Sequence, residues 1–154
     1  MKRRLIKTAA FLVALVTFGI GFAGCGNELA EPDITVDYLQ GEFAEMLEND
    51  GAEIITGSVD LFVEDDVYKA RITEKQVVAS DNKPGYYLAE TNNLYERVIG
   101  SDCRIVYMNG DTPIVGNAKE FLKKHNGEAD TIYKTYCFSE SCELILPVDP
   151  KEEL

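Results

Sequence analysis

Apolar and polar positions follow three different rhythms along this chain. From Thr8 to Ala23 no residue is charged and almost all are apolar. From Val36 to Asn49 the spacing becomes helical. Tyr38 or Leu39, Phe43, Met46 and Leu47 recur on one face, with Glu42, Glu45 and Glu48 between them. This predicts a first helix, started by Asp33 or Thr35 and ended by Gly51. Beyond it the period shortens to two. Val59, Leu61 and Phe62-Val63 interleave with Ser58 and Asp60, whereas Ile54 falls on the opposite parity. The simplest reading of Ala52–Val63 is a long strand bent at Gly57, where a β-bulge resets the faces.

Glu64-Asp65-Asp66 then makes a turn. Tyr68, Ala70 and Ile72 alternate with Lys69, Arg71 and Thr73, which predicts a second strand running on through Val77 and Val78. Asp81-Asn82-Lys83-Pro84-Gly85 is turn chemistry, and a short third strand is expected at Tyr86–Glu90. Thr91–Asp102 reads either as a helical turn around Leu94, Val98 and Ile99 or as a surface loop. Cys103, Ile105 and Tyr107 alternate again, and Asn109-Gly110-Asp111 signals a hairpin. Asn117 and Glu120 stand at capping-box spacing for a second helix over Asn117–Asn126, closed by Gly127. Thr131–Phe138 and Cys142–Leu146 form a last pair of strands. The expected class is α+β: a small antiparallel β-barrel or curved sheet with two helices, resembling an OB fold in its order of elements. A cystatin-like sheet wrapping one helix is the alternative.

The uncharged run at the start changes the picture. Lys2, Arg3, Arg4 and Lys7 precede it, and small residues end it. It is short of the roughly 20 apolar residues a permanent span needs, and its flanks are those of an export signal. Phe22-Ala23-Gly24-Cys25 resembles the lipobox of bacterial lipoproteins, usually Leu-Ala-Gly-Cys; Phe22 departs from the leucine. The resemblance implies that diacylglycerol is attached to the Cys25 thiol. It further implies that signal peptidase II cuts before Cys25 and that palmitate-type acyl chains anchor the product in the cell membrane, on its extracytoplasmic face. Gly-Cys-Gly-Asn also resembles the start of many Gram-positive lipoproteins. The expected organisation is therefore a signal peptide over 1–24, a lipidated tether over 25–34, one globular domain over 35–148 and a charged tail over 149–154.

Charge narrows the partners. The first 24 residues carry four of the 15 Lys and Arg and none of the 27 acids, so the mature part has 11 basic residues and a formal charge of −16. Such a surface repels phosphate backbones, which argues against nucleic acid. A length of 130 residues suits one domain.

Candidate chemistry is sparse. Outside the membrane, thiols tend to pair. Cys137 and Cys142 flank a short turn, where opposed strand residues lie about 4.5–5.5 Å apart at Cα, within disulfide reach. A Cys137–Cys142 bridge is therefore expected, leaving Cys103 as a buried free thiol. A redox pair with Cys103 as resolving thiol, or a Cys3His zinc site including His125, are the functional alternatives, although no Cys-x-x-Cys is present. His125 in the last helical turn fits the helix dipole. Ser101 and Ser139 lack a nucleophile elbow. Glu64-Asp65-Asp66 lacks the alternation and glycine of a calcium loop. The tyrosines, including Tyr86-Tyr87, Tyr133 and Tyr136, are either core residues with hydroxyls in water or a binding face. No catalytic, metal or cofactor residues are assigned. The expected function is non-enzymatic binding of a protein or saccharide partner; the alternative is a small thiol-redox or hydrolytic envelope enzyme.

Overall fold

The computed structural model describes residues 33–81, 85–126 and 131–153. Cys25, the segment 1–24, most of the tether, Asn82–Pro84 of the second turn and Gly127 lie outside them. The described chain is α+β. Three consecutive segments, α1 (Val36–Tyr38), a π-helical stretch (Leu39–Phe43) and α2 (Ala44–Asn49), cover the predicted first helix. The Thr35 hydroxyl accepts from the Tyr38 N–H at 3.2 Å and caps its start. At the other end Gly51 takes φ 86°. The Gly51 N–H donates to the Glu48 carbonyl and the Ala52 N–H to the Leu47 carbonyl, a Schellman closure.

Six strands follow: β1 (Glu53–Glu64), β2 (Val67–Ala79), β3 (Tyr86–Asn109), β4 (Thr112–Gly116), β5 (Tyr133–Phe138) and β6 (Ser141–Pro147). Helix α3 (Ala118–Lys124) lies between β4 and β5. The strand order is β2-β1-β5-β6-β3-β4, and β2 also pairs with β3. Hydrogen-bonded neighbours therefore run β1-β2-β3-β6-β5 and back to β1. Every pairing is antiparallel except β3 with β6. The Glu64–Val67 turn closes through Asp65 (φ 51°) and Asp66 (φ 62°), the two left-handed residues that a type I′ hairpin turn requires.

Two sequence expectations are corrected. The faces of β1 do not reset at Gly57. Ile55, Gly57, Val59 and Leu61 all point inward, and Ile54 is simply outward and 41% exposed. Gly57 is instead where β1 changes partner, from β5 (Glu53–Gly57) to β2 (Gly57–Glu64). A Cβ there would lie 2.1 Å from the Thr73 carbonyl oxygen, so close backbone approach requires the glycine.

Thr91–Asp102 is neither helix nor loop but the middle of the 24-residue β3. The polar Thr91-Asn92-Asn93 is a bulge opposite Glu74, with Asn92 at φ 64°. The Glu74 carboxylate accepts from the Thr91 hydroxyl at 2.6 Å and the Asn93 amide at 2.7 Å. Those bonds hold its pKa below the usual carboxylate value.

Two apolar layers hold the fold. The inner one gathers Ile55, Val59, Leu61, Ile72, Ile105 and Ile145 from inward strand faces, with Phe121 of α3 closing one end. The outer one packs Leu39, Ala44 and Leu47 of the first helix on Val106, Tyr136, Leu144 and Leu146. The Asn126 carboxamide ties α3 to β1: it accepts from the Leu61 N–H at 2.8 Å and donates to the Leu61 carbonyl. The presumed tail is partly ordered, since Pro150–Glu153 forms a 3-10 turn and Glu153 pairs with Lys134 at 2.7 Å.

Candidate functional site

The sequence separates Cys103, Cys137 and Cys142 by up to 39 positions, and the strand order brings them together. The β5–β6 hairpin turns through Ser139-Glu140, with Ser139 at φ 53°. Cys137 and Cys142 therefore become direct cross-strand partners. Both are fully buried. β3 runs parallel to β6 on its other side, and the β3–β6 register slips between Ile99 and Arg104. Cys103 sits in that slip, and its Sγ lies 3.9 Å from the Cys142 Sγ. All three are thiols in this structure. Cys103 is half-buried rather than buried, which corrects the expectation from its alternation with Ile105. The irregular register turns its side chain partly toward the surface, onto a cavity of about 440 Å³ lined by Tyr68, Ile99, Ser101, Asn117 and Lys119.

Arg97 completes the cluster. Its position opposite Ala70 points it inward, and its side chain is only 15% exposed. The guanidinium donates to the Glu53 carboxylate at 2.7 Å. That bond raises its pKa, so the cation is secure. Glu53 is the cross-strand partner of Cys137, which places the Arg97 charge beside that thiol. The hydrogen bond with Cys142, followed by the field of Arg97, holds Cys137 below the ordinary thiol value. Cys142 moves the opposite way: its hydrogen bonds with Cys103 and Cys137, and then burial, push it well up. Sequence reasoning missed Arg97 because an arginine at an inward strand position breaks the pattern that marks such positions.

The other candidates do not gather. His125 packs against the rings of Tyr107 (4.3 Å between centroids) and Phe121 (5.6 Å). Among the described residues no three His, Cys, Asp or Glu side chains are placed to hold a metal ion. Asp65 and Asp66 are turn residues, as their backbone angles require.

The tyrosines split between core and surface. Tyr107, Tyr133 and Tyr136 are buried, whereas Tyr86 and Tyr87 are exposed on the far part of the β2–β3 ladder. Two of the buried hydroxyls turn to carboxylates rather than water: Tyr107 to Glu120 and Tyr136 to Glu48, each at 3.3 Å. The eight tyrosines thus form no single groove.

A second surface is the outward side of β1, β2 and the first half of β3, away from the face that packs the first helix. Phe62 carries the Arg71 guanidinium 5.0 Å above its ring. Arg71 also pairs with Glu96 at 2.8 Å, and Leu94 is 59% exposed. Comparison with protein families, with curated proteins and with solved structures gives no match for this chain.

Proposed function

We propose that this chain is a lipoprotein anchored through Cys25 on the extracytoplasmic face of the cell membrane, and that its mature part is an OB-like barrel serving as a binding or interaction domain. The anchor rests on Phe22-Ala23-Gly24-Cys25 behind a basic, then uncharged, leader. Once two or more acyl chains are attached, such an anchor is stable.

The OB-like reading is supported by the ring of pairings β1-β2-β3-β6-β5, its single parallel contact, and a helix between the β3–β4 hairpin and β5. A cystatin-like sheet has no use for the β3–β6 parallel contact. OB folds present ligands to their second and third strands, which here carry Arg71 and Leu94, with Phe62 of β1 stacked beside Arg71. An aromatic ring stacked with a guanidinium suits a saccharide or a protein loop, and the overall acidity disfavours nucleic acid. Fold alone carries no ligand.

The test is expression of the full chain in a bacterial cell. The wild type is expected in the membrane fraction, cut before Cys25 and labelled by palmitate; Cys25→Ser is expected unlabelled and released. Equal retention of the two defeats the anchor. Photo-crosslinking from position 62 or 94 in the same cells tests the face, and absence of any adduct from both positions defeats it. One observation favours a second reading, thiol chemistry: three cysteines from three strands meet beside a half-buried arginine.

A further inference from the structure

We propose that Cys103, Cys142 and Cys137 form a thiol relay: Cys103 takes an oxidising equivalent from a low-molecular-weight disulfide in its cavity, and Cys142 passes it to Cys137. Three placements carry this. Cys103 alone of the three reaches the surface, at the cavity of about 440 Å³. Cys142 lies between the other two, 3.9 Å from the Cys103 Sγ and cross-strand from Cys137. Cys137 is sealed in the core beside Arg97. The relay rests on the thiol geometry and stands apart from the lipid anchor.

The steps balance as thiol–disulfide exchange. The Cys103 thiolate attacks one sulfur of the disulfide. That S–S bond breaks, one thiolate leaves and is protonated, and a mixed disulfide remains on Cys103. Cys142 gives up its proton and attacks the Cys103 Sγ. The second small thiolate leaves with that proton, and the Cys103–Cys142 bond forms. The Cys137 thiolate then attacks the Cys142 Sγ. Cys103 is expelled as a thiolate and takes up the proton that Cys137 lost. One disulfide is reduced to two thiols, Cys137–Cys142 is formed, and Cys103 is restored.

The two protein bridges share Cys142 and exclude each other. The second step is the slow one, because hydrogen bonding and burial keep Cys142 protonated. The third follows because Cys137 stands directly opposite Cys142 in the ladder, with the Arg97 guanidinium beside it to favour the attacking thiolate. Its product is shielded from further exchange.

The test uses the full chain with Cys25→Ser, purified reduced in detergent, so that only these three thiols report. It is mixed with oxidised glutathione, quenched at intervals by alkylation and mapped by non-reducing peptide mass spectrometry. The expected order is a mixed disulfide on Cys103, then Cys103–Cys142, then Cys137–Cys142 with Cys103 free. Cys137→Ser should stop at Cys103–Cys142. Cys103→Ser should form Cys137–Cys142 at least ten-fold more slowly. Cys137→Ala and Cys103→Ala repeat each arm, with circular dichroism showing which variants are folded. Bridge formation at the wild-type rate in both Cys103 variants overturns the relay. So does failure to find Cys103–Cys142 in both Cys137 variants.

Discussion

The two apolar layers are built on opposite principles. The inner layer is assembled from inward faces of strands distant in sequence, and Phe121 of α3 seals it with rings of Tyr107 and Tyr133 at 6.5 and 5.3 Å. The outer layer is a helix laid on strands already formed, with Leu39, Ala44 and Leu47 against Val106, Tyr136, Leu144 and Leu146. Removing an inner group therefore disturbs several strands at once, whereas removing an outer group loosens one helix. The sharpest probe is a matched pair. Phe121→Ala should cost about 3–5 kcal/mol and Leu39→Ala about 2–3 kcal/mol in urea unfolding, because the helix can settle into the smaller gap. Hydrogen exchange adds a second reading: Leu39→Ala should expose amides of residues 36–49 while strand amides stay protected. Equal cost, with equal loss of strand protection, breaks the distinction.

That contrast also explains what the sequence could show. β1 and the first half of β2 have one wet face, and their alternation was legible at Val59, Leu61, Ala70 and Ile72. The helix bounds were legible too, because Thr35, Gly51 and Asn117 carry local capping chemistry. β3 was not legible in its middle, for two physical reasons. Its bulge at Asn92 depends on a carboxylate from another strand. Its inward positions include Arg97, whose charge is answered by Glu53, 44 residues away. The site followed the same rule. That Cys137 and Cys142 face each other across a hairpin was readable from a short turn, but Cys103 joins them through a parallel β3–β6 contact that no local pattern encodes.

Two glycines, one per layer, sharpen the comparison at the next level of effect. A Cβ on Gly57 meets the Thr73 carbonyl at 2.1 Å. Gly57→Ala should force the β1–β2 ladder apart and cost about 1–3 kcal/mol, the usual range for overpacking. Gly41 lies in the π-helical stretch of the first helix, with nothing within 4 Å of its Cβ position. Gly41→Ala should stabilise by about 0.5–1 kcal/mol through the unfolded chain. Opposite signs are expected in paired urea melts; a neutral Gly57→Ala would show that β1 and β2 can separate freely.

Asn126 tests the seam between α3 and the strands. β1 leaves β5 at Gly57, so on that edge Leu61 finds a carboxamide instead of a strand. Asn126→Ala strands a backbone donor and an acceptor at a part-buried position, a loss of about 1–3 kcal/mol. Asn126→Asp keeps the acceptor but not the donor and should fall between. The amide of Leu61 should lose exchange protection before those of Ile72 or Ile145. If it does not, water replaces the side chain without cost and α3 is held by Phe121 alone.

The smallest effect belongs to alkaline pH, and it separates the layers by titration rather than by volume. Tyr136 of the outer layer has its pKa pushed up to about 12 from an ordinary 10.0, first by burial and then by the adjacent Glu48 carboxylate. Tyr107 of the inner layer is raised by the same two causes, burial and the nearby Glu120. A tyrosine in the unfolded chain loses its proton near pH 10, while the folded one keeps it. Stability from these groups is therefore whole below pH 10 and drains away as pH rises toward 12. Urea unfolding at pH 9 to 12 should show that decline. Tyr136→Phe should flatten part of it, with a neutral-pH cost of about 0.5–1.5 kcal/mol for the lost Glu48 bond. Tyr107→Phe should flatten a further part, and an unchanged slope in both variants would mean that neither hydroxyl is held in the folded protein as its surroundings require.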